Sequence, residues 1–149
     1  MTIAVENMFP INVNGRSLRF FSGITPYELG RWPSLVLDTS HLAVVGGDLL
    51  AAWDELADRV VHLHVSNNDG RGRDTHGLLE KGVLPIGEFL QEVGAGGFGG
   101  AVTLELDVRT WADDRKALLE VLRENLGVAR AQLAKGATGA RARTASRNG

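Results

Sequence analysis

Four short apolar segments, "TIAVEN", "SLVLDTS", "RVVHLHVS" and "GAVTLELD", stand apart along the chain, each rich in β-branched residues and bounded by polar, Gly or Pro positions. That pattern predicts β-strands. Helical periodicity fills the intervals. Asp48 is placed to cap a helix whose apolar positions Leu49, Leu50, Trp53, Leu56 and Ala57 follow the 3.6-residue repeat, and a second helix is predicted over Ile86 to Val93. The longest helix is predicted from Ala112 to Leu133. Its apolar stripe is Leu118, Val121, Leu122, Leu126, Ala129 and Leu133, with Asp113 and Asp114 in the first turn and Gly136 as the stop. In the long link from Met8 to Pro33, "TPYELGRW" suits a short helix and "INVNGRSLRFFSG" reads as an extended surface loop.

Strand followed by helix, four times over, implies right-handed crossovers and a parallel sheet covered by helices. The expected class is α/β, either an open doubly wound sheet or part of an eight-stranded barrel. No Gly-rich phosphate loop follows a strand, since "GAGGFGG" at 94–100 precedes one. This weakens a nucleotide-binding reading.

Side chains alternate across a strand, so each segment divides into two faces. One is aliphatic: Ile3 and Val5; Leu35 and Leu37; Val61, Leu63 and Val65; Val102, Leu104 and Leu106. The other is small or polar and ends in an ionisable group each time, with Glu6, Asp38, His64 and Glu105 converging if the strands are adjacent and parallel. Buried carboxylates and imidazoles are costly unless paired or metal-bound. Three carboxylates and one imidazole suit a divalent cation such as Mn²⁺, Mg²⁺, Co²⁺ or Zn²⁺. His41 in "DTSH", and Asp74 and His76 in "DTH", add ligand-type residues just behind the strand ends, while His62, one layer deeper, reads as a hydrogen-bonded core or supporting histidine.

Composition narrows the partners. The net charge of -2 offers no basic field for a polyanion, and the absence of cysteine leaves histidine and carboxylates as the metal ligands available. It also fits a reducing cytosol, so a cytoplasmic location is expected. No run of about 18 apolar residues predicts a membrane span. The stretch from 136 to 149, "GATGARARTASRNG", lacks large apolar residues and reads as a disordered tail after a domain over 1–135. Its Arg141, Arg143 and Arg147 read as solvated.

"VENM" with Glu6, "LVLDTSH" with Asp38 and His41, "VHLHVSNNDGRGRDTHGLLEKG" with His64, Asp74 and His76, and "GGAVTLELD" with Glu105 occur in one order and spacing. As an ordered set they resemble the xylose isomerase-like TIM-barrel superfamily, which includes sugar isomerases and epimerases and endonuclease IV. The resemblance implies that the segments are the fifth to eighth barrel strands and that Glu6, Asp38, His64 and Glu105 are metal ligands. Glu6 and Glu105 would also serve as catalytic acid and base on either side of an enediolate formed from a sugar or polyol substrate. His41, Asp74 and His76 would touch substrate or, as in endonuclease IV, hold further zinc. That alternative is a phosphodiesterase acting on abasic DNA, against which stands the lack of a basic loop beyond Arg16, Arg19 and Arg31.

A complete barrel takes eight strands and about 250 residues. Four strands in 149 residues read as the C-terminal half of one. Half a barrel leaves two sheet edges open, which invites self-association or a separately supplied N-terminal half. Met1, one residue before a strand, favours a shortened reading frame, and an inactive half-barrel fragment is a further alternative.

Overall fold

The computed structural model describes residues 2–14 and 16–147. In chain order the elements are β1 (Val5–Glu6), β2 (Ile11–Val13), β3 (Arg16–Leu18), α1 (Pro26–Leu29), β4 (Leu35–Asp38), α2 (Thr39–Val44), α3 (Leu49–Leu56), β5 (Val60–Val65), α4 (Ile86–Ala95), β6 (Ala101–Leu104) and α5 (Arg115–Arg147). The main sheet runs β1-β4-β5-β6 with every neighbouring pair parallel. This is the α/β class that the alternation predicts, a sheet four strands wide built from repeated strand–helix units.

The core lies between the aliphatic face of the sheet and the helices. Leu35, Leu37, Leu63 and Val65 are buried against Leu49, Trp53, Ile86, Phe89, Leu90 and Val93. Trp53 meets Phe89 and Phe98 edge-on. Each such fully buried aliphatic or Phe side chain contributes about 1.5–3 kcal/mol, so this face anchors the strands from behind. Two assigned members leave it. Ile3 is exposed ahead of β1, and Val61 is exposed because the register jumps from Leu35↔Val60 to Val36↔His62, leaving Val61 as the extra residue of a bulge.

Local chemistry explains the helix starts. Asp48 caps α3 through Leu50 N–H and Ala51 N–H, as predicted. A capping box between Thr25 and Glu28, with Pro26 in the first turn, fixes α1 inside "TPYELGRW". Asp114 accepts from Lys116 and Ala117 N–H, so α5 begins at Arg115 rather than Ala112. The stretch read as an extended loop folds instead into the hairpin β2–β3, paired Ile11↔Leu18 and Val13↔Arg16, an antiparallel ladder that the strand count omits.

The largest departure is in α5. The helix continues through Gly136 to Arg147, where composition predicts a stop and a disordered tail; residues 148 and 149 of that stretch lie outside the described residues. Gly136 is buried against α4: a Cβ there would fall 1.9 Å from the Gln91 carbonyl oxygen, and one at Gly94 would fall 2.1 Å from that of Leu133. These glycines let two helix backbones approach; Gly136 does not end a helix. The same contact turns α5 so that Asn125 and Ala129 are buried while Leu122 and Leu126, assigned to the core stripe, are exposed.

Gly136→Ala tests this packing. A glycine that only interrupts a helix gains about 1 kcal/mol on replacement by Ala. At this close contact the added methyl is expected to destabilise by about 1–3 kcal/mol, read as a lower midpoint in urea denaturation.

Candidate metal centre

In a parallel sheet the strand C-termini share one edge, and here each delivers one group to it. Glu6 ends β1, Asp38 ends β4, His64 lies opposite Asp38 in β5, and Glu105 follows β6, with its N–H bonded to the Val65 carbonyl. They meet at one imidazole nitrogen. His64 Nδ1 is 3.0 Å from Glu6 Oε1, 3.1 Å from Glu105 Oε1 and 3.9 Å from Asp38 Oδ2.

Asp38 is wholly buried. Its Oδ1 accepts the His41 N–H and caps α2, but its Oδ2 has no hydrogen-bond partner among the described residues. An unpaired carboxylate oxygen out of water is costly, and a cation placed against it would offset that cost. The donor set fits a hard or borderline divalent ion, and Glu6, Asp38 and His64 could hold one with ligand atoms within 4.8 Å of one another.

A second group lies beside the first. Asp38, His41 and His76 meet the same distance condition. Asp74 joins them: Oδ1 accepts from Ser40 Oγ at 2.6 Å, and Oδ2 is 2.7 Å from His76 Nε2 and 3.5 Å from His41 Nε2. Asp74 and His76 reach the site because the segment after β5 folds back on itself, with Asn67 and Gly77 exchanging both backbone hydrogen bonds. His76 sits at the turn with φ of 42°, a left-handed conformation unusual for a side-chain-bearing residue. All seven predicted site residues therefore come together. His62 stands just below, half-buried, its Nε2 2.7 Å from Thr103 Oγ1 and its ring edge-on to that of His64.

With this arrangement of strand ends in view, comparison with known proteins is decisive for the family. Residues 1–126 match the xylose isomerase-like TIM barrel family. The chain belongs to that family. An uncharacterized protein of Mycobacterium tuberculosis is 30% identical over 156 residues, covering 88% of this chain and 53% of the relative. A fructoselysine 3-epimerase of Escherichia coli O157:H7 is 33% identical over 58 residues, 39% of this chain and 21% of that protein. The crystal structure of a D-tagatose 3-epimerase-like protein superposes with a TM-score of 0.61 at 23% identity, covering 89% of this chain and 49% of its own. The chain thus spans about half the length of the curated relatives it first matches, and its sheet is a partial barrel of the xylose isomerase-like kind.

What the strand pattern missed in this xylose isomerase-like site is its inner support. Asn7, Thr39, Ser40, Ser66 and Asn68 are all fully buried polar residues. Thr39 Oγ1 donates to the Ser66 carbonyl and accepts the Ser66 N–H, tying the ends of β4 and β5. Asn68 Nδ2 holds Ser40 Oγ, which in turn holds Asp74. Their sequence signal was position: each follows a ligand-type residue by four places or fewer, where the chain leaves the sheet.

The electrostatics are strongly coupled. Burial pushes Asp38 above the usual carboxylate range, against the pull of His41. Burial alone would lower His41, but the hydrogen bond to Asp74, the charge of Asp38 and the Asn7 carbonyl outweigh it and raise His41 from 6.5 to about 9. Burial would raise Asp74, but its bonds to His41, His76 and Ser40 prevail and hold it well below the usual range. The bond to Asp74 raises His76.

A histidine whose folded pKa lies above its unfolded value stabilises fully below the latter and loses that contribution as pH rises through the former. Without metal, the stability conferred by His41 is therefore present below pH 6.5 and lost as pH rises through about 9. Urea denaturation across this range should show falling stability, with a shallower slope in His41→Asn.

Proposed function

We propose that this chain carries the metal-binding and proton-transfer half of a sugar or polyol isomerase or epimerase. The observation that carries this reading is the convergence of Glu6, Asp38, His64 and Glu105 around an unpartnered Asp38 Oδ2. These four residues would hold a divalent ion, with Mn²⁺, Mg²⁺, Co²⁺ and Zn²⁺ all compatible with the donors. When bound, the ion supplies polarisation of a substrate carbonyl and charge for the developing oxyanion.

The remaining chemistry falls to the chain. Glu6 and Glu105 come from the two outer strands of the sheet, so they flank whatever lies over His64. One, as carboxylate, takes the proton from the carbon beside a carbonyl, and the other, starting protonated, gives its own proton to the opposite face or to the neighbouring carbon, so that the pair ends with its protonation exchanged. His41 and His76 stand beside the ligand cluster, where their rings would line the substrate pocket. Asp74 holds both imidazoles in place. The opposite wall of the pocket comes from four further barrel strands, in a longer form of the chain or a second subunit.

Deuterium exchange at the carbon beside a ketose carbonyl, followed by NMR with Mn²⁺ present, tests the proton transfer. Glu105→Gln is expected to lower the exchange rate by about 100-fold or more. Full exchange in this variant would remove Glu105 from the role of acid or base.

Asp38→Asn separates metal binding from folding. Asn keeps the helix cap but removes the buried charge. The metal-free variant should be at least as stable as the parent, while Mn²⁺ affinity measured by calorimetry falls by about 10-fold or more.

The group Asp38–His41–His76 favours a second reading, a zinc phosphodiesterase acting on abasic DNA. Nicking of an abasic duplex with Zn²⁺, in the absence of ketose exchange, would select it. Loss of both activities together with absence of bound metal would identify an inactive half-barrel.

A further inference from the structure

Asn7 joins the two carboxylates of the proposed centre without being one of them. It follows Glu6 directly and is fully buried. Its side-chain amide spans the gap to β4 in both directions: Nδ2 donates to the Asp38 carbonyl at 2.9 Å, and Oδ1 accepts the Asp38 N–H at 2.7 Å. Its own carbonyl accepts from His41 Nδ1 at 2.9 Å. One residue therefore holds the peptide of Asp38 on both sides and orients the ring of His41.

This strap takes over where the β1–β4 ladder stops. Among the described residues the two strands are in register at Val5↔Leu35 and Glu6↔Val36, and beyond these pairs β1 gives Asp38 no strand partner. The Asp38 carboxylate has its Oδ1 committed to the His41 N–H. With the peptide held by Asn7 and Oδ1 held by the cap, Oδ2 cannot rotate away to find a partner, and it remains directed at His64.

We propose that Asn7 is the positioning residue of the metal centre, whose amide keeps the Asp38 carboxylate aimed at the ligand cluster while its carbonyl leaves His41 Nε2 facing Asp74. This rests on the reading of Glu6, Asp38, His64 and Glu105 as metal ligands. Removing the amide leaves the Asp38 backbone groups unpaired and lets its carboxylate turn, whereas Ser at position 7 can satisfy one of the two groups.

Co²⁺ titration followed by its visible d–d absorption reads both affinity and coordination. Asn7→Ala is expected to weaken Co²⁺ binding about tenfold or more and to shift the absorption bands. Asn7→Ser should fall between it and the parent, and also serves if the Ala variant does not fold. Asn125→Ala is the structural control, because Asn125 is a buried strap between Leu79 N–H and the Val121 carbonyl, away from the cluster. It should lower the melting temperature and leave the Co²⁺ affinity and spectrum of the parent.

If both position-7 variants melt lower yet bind Co²⁺ within twofold of the parent and with the same spectrum, Asn7 is structural only and the inference fails. If the parent binds no Co²⁺, the metal-centre reading fails by itself. Crystal structures of the metal-free parent and variants then decide the strap: a carboxylate that turns in the variants alone supports it, and one that keeps its direction in all overturns it.

Discussion

A carboxylate taken wholly out of water, with one oxygen left unpaired, is the constraint on which the mouth of this sheet depends. Asp38 is costly where it stands, and its surroundings reduce that cost only in part: a helix cap engages one oxygen, the Asn7 amide holds the peptide, and three imidazoles of mixed ownership lie close by. Hydrophobic burial on the opposite face makes this tolerable. Leu37 and Leu63 flank the site in sequence and are fully buried against the helices, so β4 and β5 cannot shift to relieve their polar ends.

The division of labour between faces extends to the helices. The interface of α4 with α5 relies on backbone approach at Gly94 and Gly136 and on the half-buried Gln91–Gln132 side-chain bond, while Trp53 and two phenylalanines fill the layer beneath. None of these contacts touches the ligand cluster. The supporting layer therefore fixes where the strand ends lie, and the polar shell of Asn7, Thr39, Ser40, Ser66 and Asn68 fixes which way their side chains face.

Much of this was legible in the sequence. Alternation in "VVHLHV" separates an inward histidine face from Leu63 and Val65 without further information, and the acidic or imidazole residue at each strand end follows from the same two-residue period. The bulge at Val61 was not legible, because an extra residue changes the pairing while leaving the local apolar pattern intact. Nor was the fate of Gly136. Glycine after an amphipathic stripe is an ordinary stop signal, and only the position of a neighbouring helix turns it into a contact surface. The hairpin β2–β3 escaped for a related reason: its apolar residues, such as Ile11, Val13 and Leu18, remain exposed, so no burial pattern announces it.

The segment following β5 separates into a stem and a tip. The stem is closed by the Asn67–Gly77 exchange of backbone bonds and by Asn68 reaching Ser40 and the Arg73 carbonyl, whereas Gly70 and Gly72 turn the tip in left-handed conformations. Asp74 and His76 belong to the stem. The tip is nonetheless tied to the stem, because the Gly70 N–H donates to Asn68 Oδ1, so a change in its length would be felt at Asp74 through Asn68 and Ser40.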